Sequence, residues 1–495
     1  MVLRASMVSG KSQEGELLDG PTPRHSLLSG RYKQSFAYLS LRTRMPGIMQ
    51  QIIIRIKAQS QQLVEQFGED VLNDVRHIVD GVDRLKNELN RDRQFILFHG
   101  NEPDKAEWNA FLTELPRPKR NFFRACWLHA ECYLYRRLYS FFENSRYLNG
   151  YDPFEHLKMD DLTLSKNAMK SLARATRGLD KSFDNFSNLL RIVLWSNHFE
   201  RALGAYAFSE EESQNDINVL AQVADMDRNL LVDDSSTIWS CLNRKRPGSS
   251  EVIVDFICDN GGFEFFTDML FLEYIIESQL ATQVRLHVKA IPWYISDLMK
   301  KDIDWTIKYL IEQKDEILSS VGSRWLYLMK TEKIIVAPES HFWTGPQPYF
   351  VMVELDLELY KLLTGGRLVI FKGDLNYRKL LGDFIWDSAE EFITCLRGFR
   401  PTNIAAIRTV KCEVVCGLPE GMSDNLLRSD PMWMISSNYG LIQYTDSLKC
   451  ACGLVSGMTC NMTNKEPPEL TGRPSFGRRT TLKEHMLSTA TGGPK

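Results

Sequence analysis

The sequence lacks the features that mark several special classes of protein. No apolar run approaches the roughly 20 residues that cross a bilayer, so no membrane span is expected. Neither sign of charge is in excess. Lysine and arginine number 60 against 63 acidic residues, a net charge of -3. That balance gives no electrostatic ground for nucleic acid or an anionic membrane as the main partner. Arg4 is followed by no apolar stretch, so no secretory leader is expected. The ten cysteines are scattered, with Cys132, Cys258 and Cys395 inside apolar runs. This is the pattern of reduced thiols, and it places the chain in the cytoplasm, with the nucleus as the second compartment. Cys450, Cys452 and Cys460 have no spacing of a structural zinc site. Gly10-Lys11-Ser12 matches the end of a phosphate-binding loop but lacks the earlier glycine and the preceding strand.

What is present divides the chain. At 495 residues it exceeds one compact core, and its 43% hydrophobic and 25% charged content is that of a globular protein. Residues 1–34, polar and rich in Ser and Gly, read as a mobile tail. Residues 35–215 carry helical periodicity and no strong strand signal. Pro46 marks a helix start, with Ile48, Ile52, Ile53 and Ile56 behind it. Further helical runs cover 68–89, 127–142 and 183–198. The third of these four is dense in aromatics and carries Glu131, Arg136 and Arg137, which reads as a buried helix with snorkelling arginines. The acidic break at 209–215 is the expected boundary.

Residues 216–446 change character. A helical stretch at 218–231 and a basic loop at 244–250 lead into alternating elements. Strands are expected at 252–258, 284–290, 333–337, 367–372, 403–409, 413–416 and 440–444, and helices at 263–279, 302–317 and 355–363. The alternation predicts an α/β fold: a doubly wound, mostly parallel sheet flanked by helices, with an N-terminal all-helical domain before it. Residues 447–495 turn to Gly, Thr, Pro and basic residues and read as a disordered tail.

The strand ends carry the chemistry. The run Val252 to Ile257 stops at Asp259-Asn260-Gly261-Gly262, and helical spacing begins at Phe263. In open α/β sheets ligands bind beyond the carboxyl ends of strands. A carboxylate beside an amide oxygen makes half a site for a hard divalent cation. Asp297 follows the next strand across a proline turn. A third strand ends in Lys372-Gly373-Asp374-Leu375-Asn376-Tyr377-Arg378, and a fourth in Arg408-Thr409-Val410-Lys411. His341-Phe342-Trp343 is a weaker candidate. Each cluster alone also reads as turn or capping chemistry. Their recurrence at successive strand ends points to a crevice with carboxylates and an amide for a metal, and cations and a helix N-terminus for a phosphate.

Together D-N-G-G-F-E, I-P-W-Y-I-S-D, K-G-D-L-N-Y-R and R-T-x-K resemble the metal-dependent damage-control phosphatases, in the subfamily defined by R-T-x-K. The S-F-A-Y-L segment and the W-L-H-A-E-C-Y-L-Y-R-R helix extend the resemblance over residues 35–444. The resemblance implies a helical part on an α/β core holding Mn2+, Ni2+ or Co2+, with Asp259, Asn260 and Asp297 as ligands. It assigns substrate contacts to Asp259, Asn260, Asp374, Leu375, Asn376, Tyr377, Arg378 and Lys411. It makes fructose 1-phosphate and fructose 6-phosphate example substrates. Asp374, as acid or base, and Lys411 are the expected catalytic pair. Animal members are also described as protein-glutamate O-methyltransferases. That alternative assigns Glu264 and Asp297, with Asp259, to S-adenosylmethionine and requires a protein substrate. The glycine-rich loop usual for that cofactor is missing. The chain departs from the family at Gly261, where Ser or Cys is usual. It departs again after Trp195-Ser196-Asn197, where His198-Phe199-Glu200 replaces the usual aspartate-containing run.

Overall fold

The computed structural model describes residues 17–206, 219–244 and 251–447, with backbone only for 197–206 and 219–222. The expectations for 1–16, the 209–215 break, the loop at 245–250 and the tail from 448 onward lie outside the described residues.

The sheet comprises β1 (Leu230–Asp233), β2 (Ile253–Ile257), β3 (Gln283–His287), β4 (Ile334–Val336), β5 (Leu368–Lys372), β6 (Asn403–Thr409) and β7 (Gly440–Thr445). Their spatial order is β1-β7-β6-β5-β2-β3-β4. All neighbours run parallel except β6 and β7. The expected α/β sheet is therefore present, with its antiparallel step near one edge. The chain steps outward from β2 through β3 to β4, then returns to the other side of β2 for β5 and β6. The β2/β5 junction is thus the switch point of the winding, where such sheets open a crevice.

Parallel strands need helices on both faces, which is why β2, β5 and β6 read as near-continuous apolar runs. Successive residues point to opposite faces. Ile257, Val369, Phe371, Ile404 and Ala406 join a core with α1 (Met45–Ala58), α2 (Val71–Asn90) and α3 (Trp127–Glu143). Val254, Phe256, Leu368, Ile370, Ala405 and Ile407 join a second core. This one includes Leu162 of α4 (Glu155–Leu164), residues of α5 (Phe183–Tyr206) and of α6 (Gly262–Glu277). Helices from the first part of the chain thus cover both faces. In α1 the buried residues are Met45, Met49, Ile52, Ile53 and Ile56, a helical stripe worth about 1.5–3 kcal/mol per large side chain. Gly440 lets α5 approach β7, since a Cβ there would run into Leu194 and Trp195.

Several expectations change. Residues 17–34, expected as part of a mobile tail, are packed: Leu28 is fully buried, and its N–H donates to the Asp383 carbonyl at 2.8 Å. The four-residue edge strand β1 was concealed in the expected helix at 218–231; the helix ends at Met226. The helix expected at 302–317 is two, Lys300–Ile311 and Glu316–Lys330, the second capped by the Asp315 side chain. Residues 413–416 form no strand. The carbonyls of Val414 and Cys416 accept instead from the Arg408 guanidinium at 2.5 Å and the Gln443 amide at 2.8 Å. In α3, Arg136 does not snorkel; it is fully buried between Asp104 and Glu143.

A buried ion pair links two strands of the sheet. Asp255 of β2 is fully buried and accepts from Arg285 at 2.6 and 2.7 Å and shares a 2.7 Å hydrogen bond with His287 Nε2. Removing one partner of a buried pair costs about 3–5 kcal/mol because the other charge stays behind. Asp255→Ala is expected to lower the unfolding free energy by about that amount, read from the urea midpoint; an unchanged midpoint would contradict this placement.

Candidate active site

The site begins where β2 runs out. The turn after it is stitched by backbone hydrogen bonds to the segment beyond β3. Leu298 N–H donates to the Asp259 carbonyl at 2.8 Å, and Gly261 N–H to the Ser296 carbonyl at 2.7 Å. Asn260 and Asp297 consequently form a bridge pair. Residues nearly forty apart in sequence become neighbours, and Asp259, Asn260 and Asp297 come together as expected. All three are buried. In this segment Tyr294 and Ile295 have φ of 42° and 73°, a strained path that a β-branched residue takes only under constraint.

The β5 end closes the other side. Gly373 has φ 91° and ψ 168°, a conformation essentially confined to glycine, and a Cβ there would overlap the Asp259 carboxylate. The same glycine precedes α7 (Asp374–Leu381), whose first amides lack intrahelical acceptors. Asp374 opens that helix and accepts from Arg408 at 2.8 Å.

Charge is unevenly placed. Burial, then repulsion from Glu264 and Asp297, pushes the Asp259 carboxyl well above its usual range, against the pull of Lys411 and Lys289. Burial likewise pushes Asp297 up to about 6, opposed chiefly by Lys289. Lys289 Nζ lies 3.3 Å from Asp297 Oδ2, yet that buried oxygen accepts no well-directed hydrogen bond. Asp374 behaves oppositely. Burial would raise it, but Arg408, Arg378 and Lys411 together hold it below the usual carboxylate range. Lys411 therefore acts on both Asp259 and Asp374.

These observations fit a divalent cation. Two buried carboxylates that resist joint ionisation gain from a nearby positive charge, and an under-bonded carboxylate oxygen is a ligand in waiting. Among the described residues no group of three or more His, Cys, Asp or Glu side chains is arranged to hold a metal. The side chains that could hold one are the two carboxylates and the Asn260 amide.

Other expected contacts face elsewhere. Arg378 is buried between Glu131 and Asp383, each at 2.7 Å, and stacks over Trp127 at 3.7 Å. Its place is the joint between α3 and α7. Asn376 donates to the Lys372 carbonyl at 2.6 Å and accepts from the Tyr349 hydroxyl at 2.5 Å. The Tyr377 hydroxyl donates to Gln443 at 2.8 Å, and Leu375 is buried in the core. Arg408 serves Asp374 and carbonyls of the 412–414 loop, and Lys411 is the cation of that motif whose charge favours ionisation of Asp259 as well as Asp374. His341 lies 3.8 Å from Asp104, away from this cluster. Glu264 is buried with Oε1 at 2.9 Å from Lys372 and Oε2 accepting from Asn260 at 2.8 Å.

Sequence reasoning missed two contributors. Lys289 stands just past β3, a polar residue at a strand end like the others. Asp161 comes from α4: its carboxylate accepts from Phe263 N–H at 2.6 Å and fills the space over Gly262, whose φ is 64°. The Phe263 amide at the N-terminus of α6 is thus capped by a side chain of α4, whereas the start of α7 has no side-chain cap.

An open, mainly parallel α/β sheet with carboxylates, an amide and a lysine converging at its switch point belongs to the class of α/β proteins that take their ligand beyond the carboxyl ends of the strands. Comparison with known proteins gives the family. The damage-control phosphatase ARMT1-like domain matches residues 40–426, and the chain belongs to that family. It is 32% identical over 445 residues to damage-control phosphatase ARMT1 of Danio rerio, covering 86% of this chain and 98% of that one. Against the Homo sapiens protein of the same name it is 32% identical over 440 residues, covering 85% and 98%. A solved structure of a DUF89-family protein from Pyrococcus horikoshii aligns over 79% of this chain and 96% of its own, with 18% identity and a TM-score of 0.40.

Two outcomes are expected. Gly373→Ala should lower stability by about 1–3 kcal/mol and displace Asp259, so that the folded variant loses phosphatase turnover; a variant with native activity and native circular dichroism would contradict the contact. Burial pushes the Asp161 carboxyl up to about 7. The folded chain then holds a proton that the unfolded chain releases near pH 4. Its stabilising contribution is present at low pH and is lost as pH rises through about 7. Asp161→Asn keeps an acceptor and removes this slope, so its stability relative to wild type should rise between pH 5 and pH 8 in urea titrations. A difference independent of pH would count against the buried carboxyl.

Proposed function

We propose that this chain is a metal-dependent phosphoric monoester hydrolase acting on small sugar phosphates, with fructose 1-phosphate and fructose 6-phosphate as representative substrates. The observation that carries the reading is the convergence of Asp259, Asn260 and Asp297 with an ionised Asp374 and Lys411 at the β2/β5 switch point.

Asp259, Asn260 and Asp297 hold the cation, Mn2+, Ni2+ or Co2+. Bound there, it supplies Lewis-acid polarisation of a phosphoryl oxygen. Lys411 neutralises charge that develops on the transferring group, and the first amides of α7 donate to its oxygens. Asp374 is held ionised by Arg408, so it takes a proton from the attacking water as the phosphorus–oxygen bond to the sugar breaks, and returns that proton to the leaving sugar oxygen. Lys289 keeps Asp297 in place from behind. Arg378 ties α3 to the floor of the site through Glu131, which makes the helical layer part of the active-site wall. Under the alternative, methyl transfer from S-adenosylmethionine to protein glutamates, Glu264 would have to exchange its contacts with Lys372 and Asn260 for the cofactor. That exchange places the alternative second.

Inorganic phosphate release from a panel of sugar phosphates, with Mn2+, Ni2+, Co2+ or chelator, tests the reading. Turnover should require metal, and Asp259→Ala should lose more than the roughly 100-fold typical of outer-shell changes. Chelator-resistant turnover, or wild-type turnover in the variant, would overturn it. Radiolabel transfer from S-adenosylmethionine in a chain without phosphatase activity would favour the second reading.

A further inference from the structure

Behind Asn260 lies a run of buried polar groups to which hydrolysis assigns no task. The Asn260 amide has two chemically different ends, and only its oxygen serves a hard cation. Its nitrogen donates to Glu264 Oε2 at 2.8 Å, and its oxygen accepts from Ser296 Oγ at 2.8 Å. The other Glu264 oxygen, Oε1, lies 2.9 Å from Lys372 Nζ. Lys372 also pairs with Asp268 and donates to Ser196 Oγ at 3.5 Å. Asn260, Glu264, Lys372 and Asp268 are 7%, 1%, 3% and 1% exposed. The spacing explains the geometry: Glu264 sits in the first turn of α6, four residues after Asn260, and Lys372 is the last residue of β5, next to Gly373.

We propose that Glu264 and Lys372 are positioning residues that lock the Asn260 amide with its oxygen toward the cation. The proposal rests on the metal-dependent reading above. A carboxylate accepts hydrogen bonds and does not donate them, so Glu264 satisfies only the NH2 end of the amide. A flipped amide would set oxygen against oxygen. Lys372 anchors Oε1, which leaves Oε2 aimed at Asn260. The Ser296 hydroxyl tolerates either end, so the selection comes from the Glu264 side.

The test exploits symmetry. Glutamine at 264 accepts and donates alike, so Glu264→Gln frees the amide to flip. An aspartate at 260 has two equivalent oxygens and nothing to flip. Mn2+ affinity, read from the free-ion electron paramagnetic resonance signal on full-length folded chains, is compared in both backgrounds. Glu264→Gln should weaken Mn2+ binding about 10–100-fold when residue 260 is asparagine. It should not weaken binding in the Asn260→Asp background. Lys372→Met should weaken Mn2+ binding in the asparagine background and add little on top of Glu264→Gln. Equal losses in the two backgrounds would assign Glu264 a merely structural part and overturn the proposal, as would an unchanged affinity in Glu264→Gln alone. A wild-type chain that binds none of Mn2+, Ni2+ and Co2+ would instead overturn the metal reading, and this proposal with it.

Discussion

Two carboxylates buried side by side are the constraint on which this structure turns. Asp259 and Asp297 are brought together by the backbone hydrogen bonds between the turn after β2 and the segment at 296–298. Burial opposes the ionisation of both, reinforced by Glu264 and Asp297 at Asp259 and by Glu264 at Asp297. Much of the surrounding sequence answers that problem. Lys289 and Lys411 approach from two strand ends, and Gly373 gives Asp259 room. Asp374, which follows the Gly373 that abuts Asp259, escapes the problem because Arg408 grips it.

The helical layer belongs to the same construction. Asp161 caps α6 from α4, and Lys158 of α4 packs its stem against Gly261 while its ammonium joins Asp152 and Asp302 at 2.9 and 2.6 Å. From the opposite side Glu131 of α3 reaches Arg378 and accepts from the Tyr294 hydroxyl at 3.0 Å. Tyr294 lies in the strained segment that presents Asp297, so α3 helps to hold that strain in place. The glycine at 261 has a local reason too: a Cβ there would press on the Lys158 stem at 3.2 Å.

Much of this was legible in the sequence, and the physical reasons differ between parts. β2, β5 and β6 are buried on both faces, so their apolar runs ended cleanly and the polar residues at their ends stood out. That is why Asp259, Asn260, Asp374 and Lys411 could be named, and a proline turn after β3 brought in Asp297. Side-chain direction was not legible. Arg378 and Asn376 share a motif with Asp374, yet their partners come from α3 and from Tyr349, far away in the chain. The short edge strand β1 and the loop at 412–416 were misread because tertiary partners decide their hydrogen bonding, a parallel neighbour in one case and the Arg408 and Gln443 side chains in the other. Asp161 carried no sequence signal, since it reaches the site from a helix with only weak amphipathic character.

The central claim is that Asp259, Asn260 and Asp297 hold one divalent cation. Anomalous scattering at the manganese edge from crystals grown with Mn2+ addresses it directly. A single strong peak bounded by these three side chains, on the side toward Asp374 and Lys411, is the expected result. A site left empty at saturating Mn2+, or a peak coordinated by other residues, would contradict it.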